Sequence, residues 1–326
     1  MAQESPHISV LLDEVVRSIS PLQARHVVDG TFGAGGYSRA FLQAGARVTG
    51  IDRDPNVLPF AQTLSDDYGD AFKFVQGRFA DLEQLATEND FAPADAIVLD
   101  IGVSSMQLDE GERGFSFMRD GPLDMRMEQH GESAADLVNE RDEREISDIL
   151  FELGEERRAR HIAHAIVERR ADKPFQTTTE LAELIAEKLG RKPGGSHPAT
   201  KSFQALRIAV NAEYGQLVRG LFAAEEILTE GGVLAVVSFH SVEDRIVKRF
   251  FKPQEKGSRH APMQVKDLSP WANISKPIRA SRAELDQNPR ARSATLRFAV
   301  RNDEPARTLS IEGLGVPGYA RREFMS

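Results

Sequence analysis

Apolar positions in the first hundred residues alternate between two spacings. Between Val10 and Ile19 they fall at Val10, Leu11, Leu12, Val15, Val16 and Ile19, one face of a helix, with Asp13 and Glu14 near its start, where a helix favours negative charge. A short apolar run, His26-Val27-Val28, leads into Asp29-Gly30-Thr31-Phe32-Gly33-Ala34-Gly35-Gly36, after which Ala40, Phe41 and Ala44 return to helical spacing. The glycines therefore sit in a strand-to-helix turn, where a backbone can approach a ligand closely and free N–H groups face it. Ala46 to Asp52 reads as a second strand ending in an acid, and Asp54-Pro55 supplies the cap and first-turn proline of a helix that buries Leu58, Ala61 and Leu64. A strand at Phe72 to Gln76, a helix from about Ala80 to Thr87 and a strand from Ala94 to Asp100 continue the alternation.

Strands separated by helices predict an α/β fold with a doubly wound, mostly parallel sheet, whose ligands bind outside the carboxyl ends of the strands. Asp29, Asp52 and Asp100 all end strands, which puts three acids on one rim. Residues 102–132 are glycine-rich, carry no clear period and read as a long loop. Ser133 with Asp136 opens a helical stretch, followed by helical patterns at about 142–152, 155–171 and 178–189. Residues 200–230 read as helical and end at Gly231-Gly232; Val233 to Phe239 is apolar throughout and suits a sheet centre. Ser241 caps a helix through Phe251, and a loop runs from Pro253 to Pro289. A last strand, Ala294 to Val300, fits an edge or antiparallel position. The expected organisation is the first part of an α/β domain at 1–104, an inserted loop and helical substrate-recognition domain at 105–200, the second part of the α/β domain at 201–301, and a poorly ordered or surface-lying tail at 302–326.

Composition narrows the chemistry. The net charge of -9 means that a nucleic-acid partner must be held by local basic patches. The chain has no cysteine, which removes disulfides, thiolate zinc sites, iron–sulfur clusters and cysteine nucleophiles. No apolar run approaches the 18 or so residues of a membrane helix, and Met1 to Pro6 lacks a signal-peptide layout, so a cytoplasmic protein is expected.

Either a dinucleotide or S-adenosyl-L-methionine suits a glycine turn of this kind. A dinucleotide fingerprint wants a third glycine where this chain has Ser38, and Asp29 would repel a pyrophosphate yet attract the ammonium of a methionine moiety. Asp52, 17 residues beyond Gly35, is placed to accept hydrogen bonds from ribose hydroxyls, a role common to both cofactors. The plainer alternative for Asp29 is a cap on the turn. The order D-x-T-x-G-x-G resembles motif I of Rossmann-like methyltransferases, with Thr31 in place of the more usual first glycine.

Longer segments carry a more specific resemblance. Asp29 to Gly36, Leu99-Asp100-Ile101-Gly102-Val103-Ser104-Ser105, Glu112 to Met127, His197-Pro198-Ala199-Thr200, Ser238 to Lys248 and Asn288 to Ser293 closely resemble the RsmH (MraW) family, in order, from about His7 to Val300. Those enzymes are bacterial methyltransferases of the N4 amine of a decoding-centre cytidine in 16S ribosomal RNA. The resemblance implies a class I Rossmann-like methyltransferase fold, S-adenosyl-L-methionine as cofactor, 16S ribosomal RNA in the small subunit as partner, and a homodimer as an available state. It implies cofactor contacts from Gly35, Gly36 and Tyr37 in the turn, Asp52 at the ribose, Phe79 beside the adenine, and Asp100 and Gln107; Gly33, in the same turn, is a further expected cofactor residue. Tyr37 stands where the family commonly has histidine, and Met106 where it commonly has proline.

A cytosine amine is a poor nucleophile and needs alignment plus an acceptor for its proton. Methylation at ring C5 would need a cysteine, so transfer to nitrogen or oxygen remains. Asp100 and Ser104 are expected to orient the amine, with a purely cofactor-binding role as the alternative for Asp100. His240, at the carboxyl end of the central strand, is the third catalytic candidate; its alternative is fixing the strand-to-helix turn. Phe115 and Phe117, flanked by Arg113, Arg119 and Arg126, suit a flipped nucleotide, or else pack onto the core. Asp244 and Arg245 are further substrate candidates. Arg279, Arg282, Arg290, Arg292, Arg297 and Arg301 form one basic stretch, and Lys188, Arg191, Lys192, His197 and Lys201 a second. His161 and His164, ringed by arginines, lack a third ligand, so no metal is expected. A dinucleotide-dependent oxidoreductase and a non-catalytic ribosome-assembly module are the competing readings.

Overall fold

The computed structural model describes residues 9–19, 25–191, 194–252 and 269–325. The chain forms two compact units: Met1–Gly102 with Gln216–Val316, and Val103–Gly215 with Pro317–Ser326. Among the described residues no helix is long and apolar enough to cross a membrane.

The first unit contains α1 (Leu12–Ile19), β1 (His26–Asp29), α2 (Gly36–Gln43), β2 (Arg47–Asp52), α3 (Leu58–Tyr68), β3 (Phe72–Gln76), α4 (Leu82–Asn89) and β4 (Ala94–Asp100). The second unit follows with α5 (Ser105–Asp109), α6 (Ala134–Glu140), α7 (Glu143–Glu152), α8 (Ala159–Asp172), α9 (Thr178–Leu189) and α10 (Thr200–Val210). Helix α11 (Glu213–Ile227) leads back into the first unit, which is completed by β5 (Leu228–Ser238), α12 (Ser241–Phe251), β6 (Trp271–Ala272), β7 (Ile278–Arg279), α13 (Arg282–Gln287) and β8 (Thr295–Arg301). A short helix, α14 (Gly318–Arg321), ends the second unit.

The sheet runs in the order β3-β2-β1-β4-β5-β8-β6, with β7 also on β8. Strands β1 to β5 are parallel and β8 is antiparallel to β5. From β1 the chain moves outward to β2 and β3, then returns to place β4 on the other side of β1. That reversal opens a crevice at the carboxyl ends of β1 and β4, the usual ligand position in such sheets. The central stretches of β1, β4 and β5 are apolar because both faces are covered: Val27, Val28, Ile97, Val98, Leu99, Val233, Leu234 and Val237 are fully buried.

Two expectations for this unit change. Strand β5 begins at Leu228 and passes through Gly231-Gly232, which had read as a helix stop. Its register against β4 shifts between Ala94 and Ala96, and Gly231 takes φ 81, so the glycines serve a bulge. Strand β8 takes the antiparallel of its two expected positions, between β5 and β6. β6 and β7, two residues each, are too short to show a period and lie in the stretch read as a loop; residues 253–268 of it are outside the described residues.

The second unit is helical. Ser133 and Asp136 form a reciprocal capping box on α6, Asp142 caps α7, and Thr177 with Glu180 boxes α9. The helical pattern of 200–230 breaks at Asn211-Ala212, where Ala212 takes φ 50 and the Asn211 side chain binds Met125 O (2.7 Å) and Met127 N (2.9 Å). The boundary expected after residue 200 therefore falls after Gly215, since α10 packs on α6 and α7. Helix α5 interrupts the stretch read as a continuous loop. Residues 302–325 do not form a loose tail. Residues through Val316 belong to the first unit, while α14 docks on α7, with Tyr319 N donating to Glu152 and Tyr319 Oη to Glu145 (3.2 Å).

Candidate cofactor site and nucleic-acid surfaces

The glycine turn is held by groups at the ends of β1, β2 and β4. Gly35 takes φ 76 at the N-cap of α2, and a Cβ there would lie 2.8 Å from both Phe32 and Leu64. Phe32 cannot yield, because it is buried against Phe72 and Phe74 at 5.5 and 5.3 Å between ring centroids. The two carboxylate oxygens of Asp52 accept the amides of Gly33 (2.8 Å) and Asp54 (2.9 Å), tying the end of β2 to the turn. Thr31, in the place of the usual first glycine, has a specific use: its Oγ1 accepts the Asp100 amide at 2.7 Å and joins the turn to β4.

Asp29 is fully buried, with Oδ2 accepting from Ser38 Oγ at 2.7 Å and Oδ1 facing the Thr31 amide at 3.4 Å. Burial pushes its carboxyl up to about 6, against the lowering effect of the Ser38 hydrogen bond. Its partners are those of a turn cap, the plainer of the two expected roles. Ser38, read from sequence only as a missing glycine, is thus the residue that satisfies Asp29.

Asp100 differs from both. Its Oδ1 is buried and has no hydrogen-bond partner, and its Oδ2 lies 3.5 Å from Tyr37 Oη. The Tyr37 hydroxyl also donates to the Val10 carbonyl, the closer of its two acceptors, so its contact with Asp100 is the weaker one. Burial, assisted by the charges of Asp29 and Glu243 and opposed by Tyr37, raises the Asp100 carboxyl to about 8. An unfolded aspartate ionises near 4, so between about pH 4 and 8 the folded state binds the extra proton and stability falls as pH rises. Asp29 contributes in the same sense only up to about pH 6. Urea midpoints of the cofactor-free protein are therefore expected to fall more steeply from pH 6 to 8 than those of Asp100→Asn; parallel profiles would contradict a protonated Asp100.

The remaining cofactor and catalytic candidates are placed as follows. Phe79 follows β3 and its ring fills the space over Gly220 of α11, where a Cβ would meet it at 2.4 Å. Ser104 and Gln107 form a capping box on α5: Ser104 Oγ accepts the Gln107 amide (3.2 Å) and Gln107 Oε1 accepts the Ser104 amide (3.0 Å). Gln107 is buried. His240 is the N-cap of α12, with its amide on Glu243 Oε2 at 3.0 Å, which is the turn-fixing arrangement.

The basic and aromatic candidates separate into engaged and exposed groups. Phe115 is buried beneath Arg113, whose guanidinium donates to the carbonyls of Arg126 (3.0 Å) and Met127 (3.1 Å), so this pair packs the second unit. Arg126 is paired with Asp124 at 2.6 Å. Phe117 lies against His197 (4.5 Å) and Phe203 (4.9 Å). Lys201 Nζ donates to Glu155 O at 2.9 Å. Asp244 holds Arg297 through two bonds of 2.6 and 3.0 Å, which explains both residues without a substrate. Arg301 is buried and donates to the carbonyls of Glu225, Pro270 and Glu304, so it too leaves the basic stretch. Arg245 is half-buried, while Arg290 and Arg292 are exposed on the 3-10 turn Pro289–Ser293. Lys192 lies outside the described residues.

Comparison with known proteins adds to this geometry. The "Ribosomal RNA small subunit methyltransferase H" of Cereibacter sphaeroides (strain KD131 / KCTC 12085) is 53% identical over 322 residues, spanning 97% of this chain and 96% of that protein. The protein of that name from Dinoroseobacter shibae is 54% identical over 321 residues, covering 96% and 95% of the two chains. That of Methylorubrum extorquens (strain ATCC 14718 / DSM 1338 / JCM 2805 / NCIMB 9133 / AM1) is 53% identical over 314 residues, covering 93% and 89%. The profile of the MraW methylase family matches residues 4–302, and with a glycine turn, three strand-end acids and relatives above half identity, the chain belongs to that family.

Proposed function

We propose that this methylase transfers a methyl group to the N4 amine of a decoding-centre cytidine in 16S ribosomal RNA of the small subunit. S-adenosyl-L-methionine is its cofactor, and when bound supplies an electrophilic methyl group on a sulfonium. The observation that carries the reading is Asp100, whose buried, unpartnered Oδ1 at the end of β4 is an acceptor awaiting a donor. The names of the relatives support the RNA and the subunit.

In this reading Asp52 accepts the ribose hydroxyls with lone pairs left over from its two backbone bonds, and Gly33 and Gly35 keep the turn open for the ligand. A cationic ligand at this rim favours the ionised form of Asp100, whose Oδ1 then accepts an N–H of the target amine and turns its lone pair toward the methyl group. Proximity and alignment supply on the order of 7 kcal/mol or more, so no covalent intermediate is needed. With no cysteine in the chain, attack on ring C5 has no nucleophile. Ser104 and His240 remain proposed orienting groups, each now with a capping duty as well.

Small subunits from cells lacking the modification, incubated with the protein and labelled S-adenosyl-L-methionine, are expected to take up about one methyl group per particle. Absence of label in the subunit, or label in large subunits instead, would overturn the proposal.

A further inference from the structure

The turn between α7 and α8 has features that folding does not account for. Arg157, Arg158 and Arg160 are exposed at the start of α8, and among the described residues none of them has an acid within ion-pair distance. Helix α8 has no acidic residue in its first turn, and its N-cap, Arg158, makes no side-chain cap bond. Positive charge there opposes the helix dipole, so these arginines work against the helix they begin. Other helices of the unit do the reverse: α7 starts with Asp142, Glu143 and Glu145, and α9 with Thr177 and Glu180.

Several other arginines of this unit are engaged, although Arg144 and Arg191 are also exposed. Arg141 pairs with Glu132, Arg207 with Glu213, and Arg170 donates to the carbonyls of Val138 and Arg141. Beside the free arginines stands Phe151, a large apolar side chain left 59% exposed. The Glu156 amide donates to Leu150 O at 3.1 Å, so Phe151 and Arg157 flank one hydrogen bond and share the turn. Lys201 adds a fourth cation by docking on Glu155 O, while Glu156 is buried with Oε1 on the Arg158 amide. The exposed acid of the turn is Glu155.

We propose that Phe151, Arg157, Arg158 and Arg160 form a docking surface for an unpaired segment of RNA, with the arginines on phosphates and the phenylalanine stacked on a base. In a chain of net charge -9, a cluster of unpaired guanidinium groups complements a polyanion locally, and arginine suits phosphate oxygens. An exposed aromatic among them distinguishes unpaired RNA from a duplex, whose bases are stacked and closed to it. The surface rests on the reading of the protein as an RNA methylase and deepens it, since it is separate from the family segments quoted above and contributes binding and not chemistry.

The test uses the full chain as R157Q/R158Q/R160Q and, separately, F151A. Probes are small subunits lacking the modification, for KM, and protein-free 16S RNA, for binding over a salt series. The triple variant is expected to raise KM at least tenfold and to weaken RNA binding, with a log–log salt slope smaller by about 2, from roughly 0.7 for each of three phosphate contacts. F151A should weaken RNA binding about fivefold or more with the salt slope unchanged. Binding of S-adenosyl-L-methionine should not change, and the melting temperature of the triple variant should hold or rise, which separates a lost contact from a damaged fold. Unchanged KM and salt slope would overturn the proposal. A raised KM on particles with unchanged binding to protein-free RNA would also overturn it, in favour of an acidic ribosomal protein as partner. If wild-type protein fails to methylate subunits, the methylation reading falls, and the RNA titration still decides the surface.

Discussion

Arg307→Ala is expected to lower the stability of the protein by about 3 kcal/mol, read as a shift of the urea midpoint at constant slope. Glu225 is fully buried, and its Oε2 accepts from Arg307 Nη2 at 2.5 Å and Trp271 Nε1 at 2.7 Å. The guanidinium also lies 4.4 Å from the centre of Phe250 and 5.6 Å from that of Phe222. Removing it leaves a carboxylate in an apolar setting with two donors, Nε and Nη2, lost and its counter-charge gone. Breaking a buried pair typically costs about 3–5 kcal/mol, and the lower end applies because Trp271 still donates and the arginine side chain is 22% exposed. A loss under about 1 kcal/mol would mean that residues 302–316 are peripheral after all.

Asp52→Asn is expected to weaken S-adenosyl-L-methionine binding about a hundredfold, measured by calorimetry. An amide has one acceptor oxygen where the carboxylate has two, so one of the Gly33 and Asp54 amides would face an NH2 group. The turn loses an anchor and, on the proposed reading, the ribose loses a charged acceptor. A hydrogen bond to a charged group contributes about 1.5–3 kcal/mol, and about 2.7 kcal/mol corresponds to a factor of 100. A change under fivefold would remove Asp52 from the cofactor site.

Much of this architecture could be read from the spacing of apolar residues. The strands ending in Asp29, Asp52 and Asp100, and the helices Glu143–Glu152 and Thr178–Leu189, were legible because each buries a continuous face and carries its own caps. What was not legible depends on contacts distant in sequence. Nothing near Arg307 signals that Glu225 awaits it, 82 positions away. Glycine at 231 and 232 signals a stop equally for a helix end and a bulge, and only the partner strand decides. The same limit applies to the charged candidates. Arg113, Arg297 and Arg301 look like phosphate ligands in a basic stretch, yet the fold turns each guanidinium onto carbonyls or a carboxylate. Arg157, Arg158 and Arg160, near the two histidines His161 and His164, are among the arginines left facing solvent.

The site shows a similar division. The strand-end positions of Asp29, Asp52 and Asp100 are visible in sequence, and the uses of Thr31 and Ser38 were missed because their partners, the Asp100 amide and the Asp29 carboxylate, lie across the turn. Tyr37, in place of the more common histidine, contacts both Val10 O and Asp100 Oδ2, so the departure bears directly on the one acid with an unpartnered oxygen.

The most direct measurement of the central claim is nucleoside analysis of 16S ribosomal RNA recovered from small subunits after transfer of labelled methyl from S-adenosyl-L-methionine. Label in N4-methylcytidine, from a single decoding-centre position and absent with Asp52→Asn at limiting cofactor, is the predicted result. Label in 5-methylcytidine or in another nucleoside would contradict it.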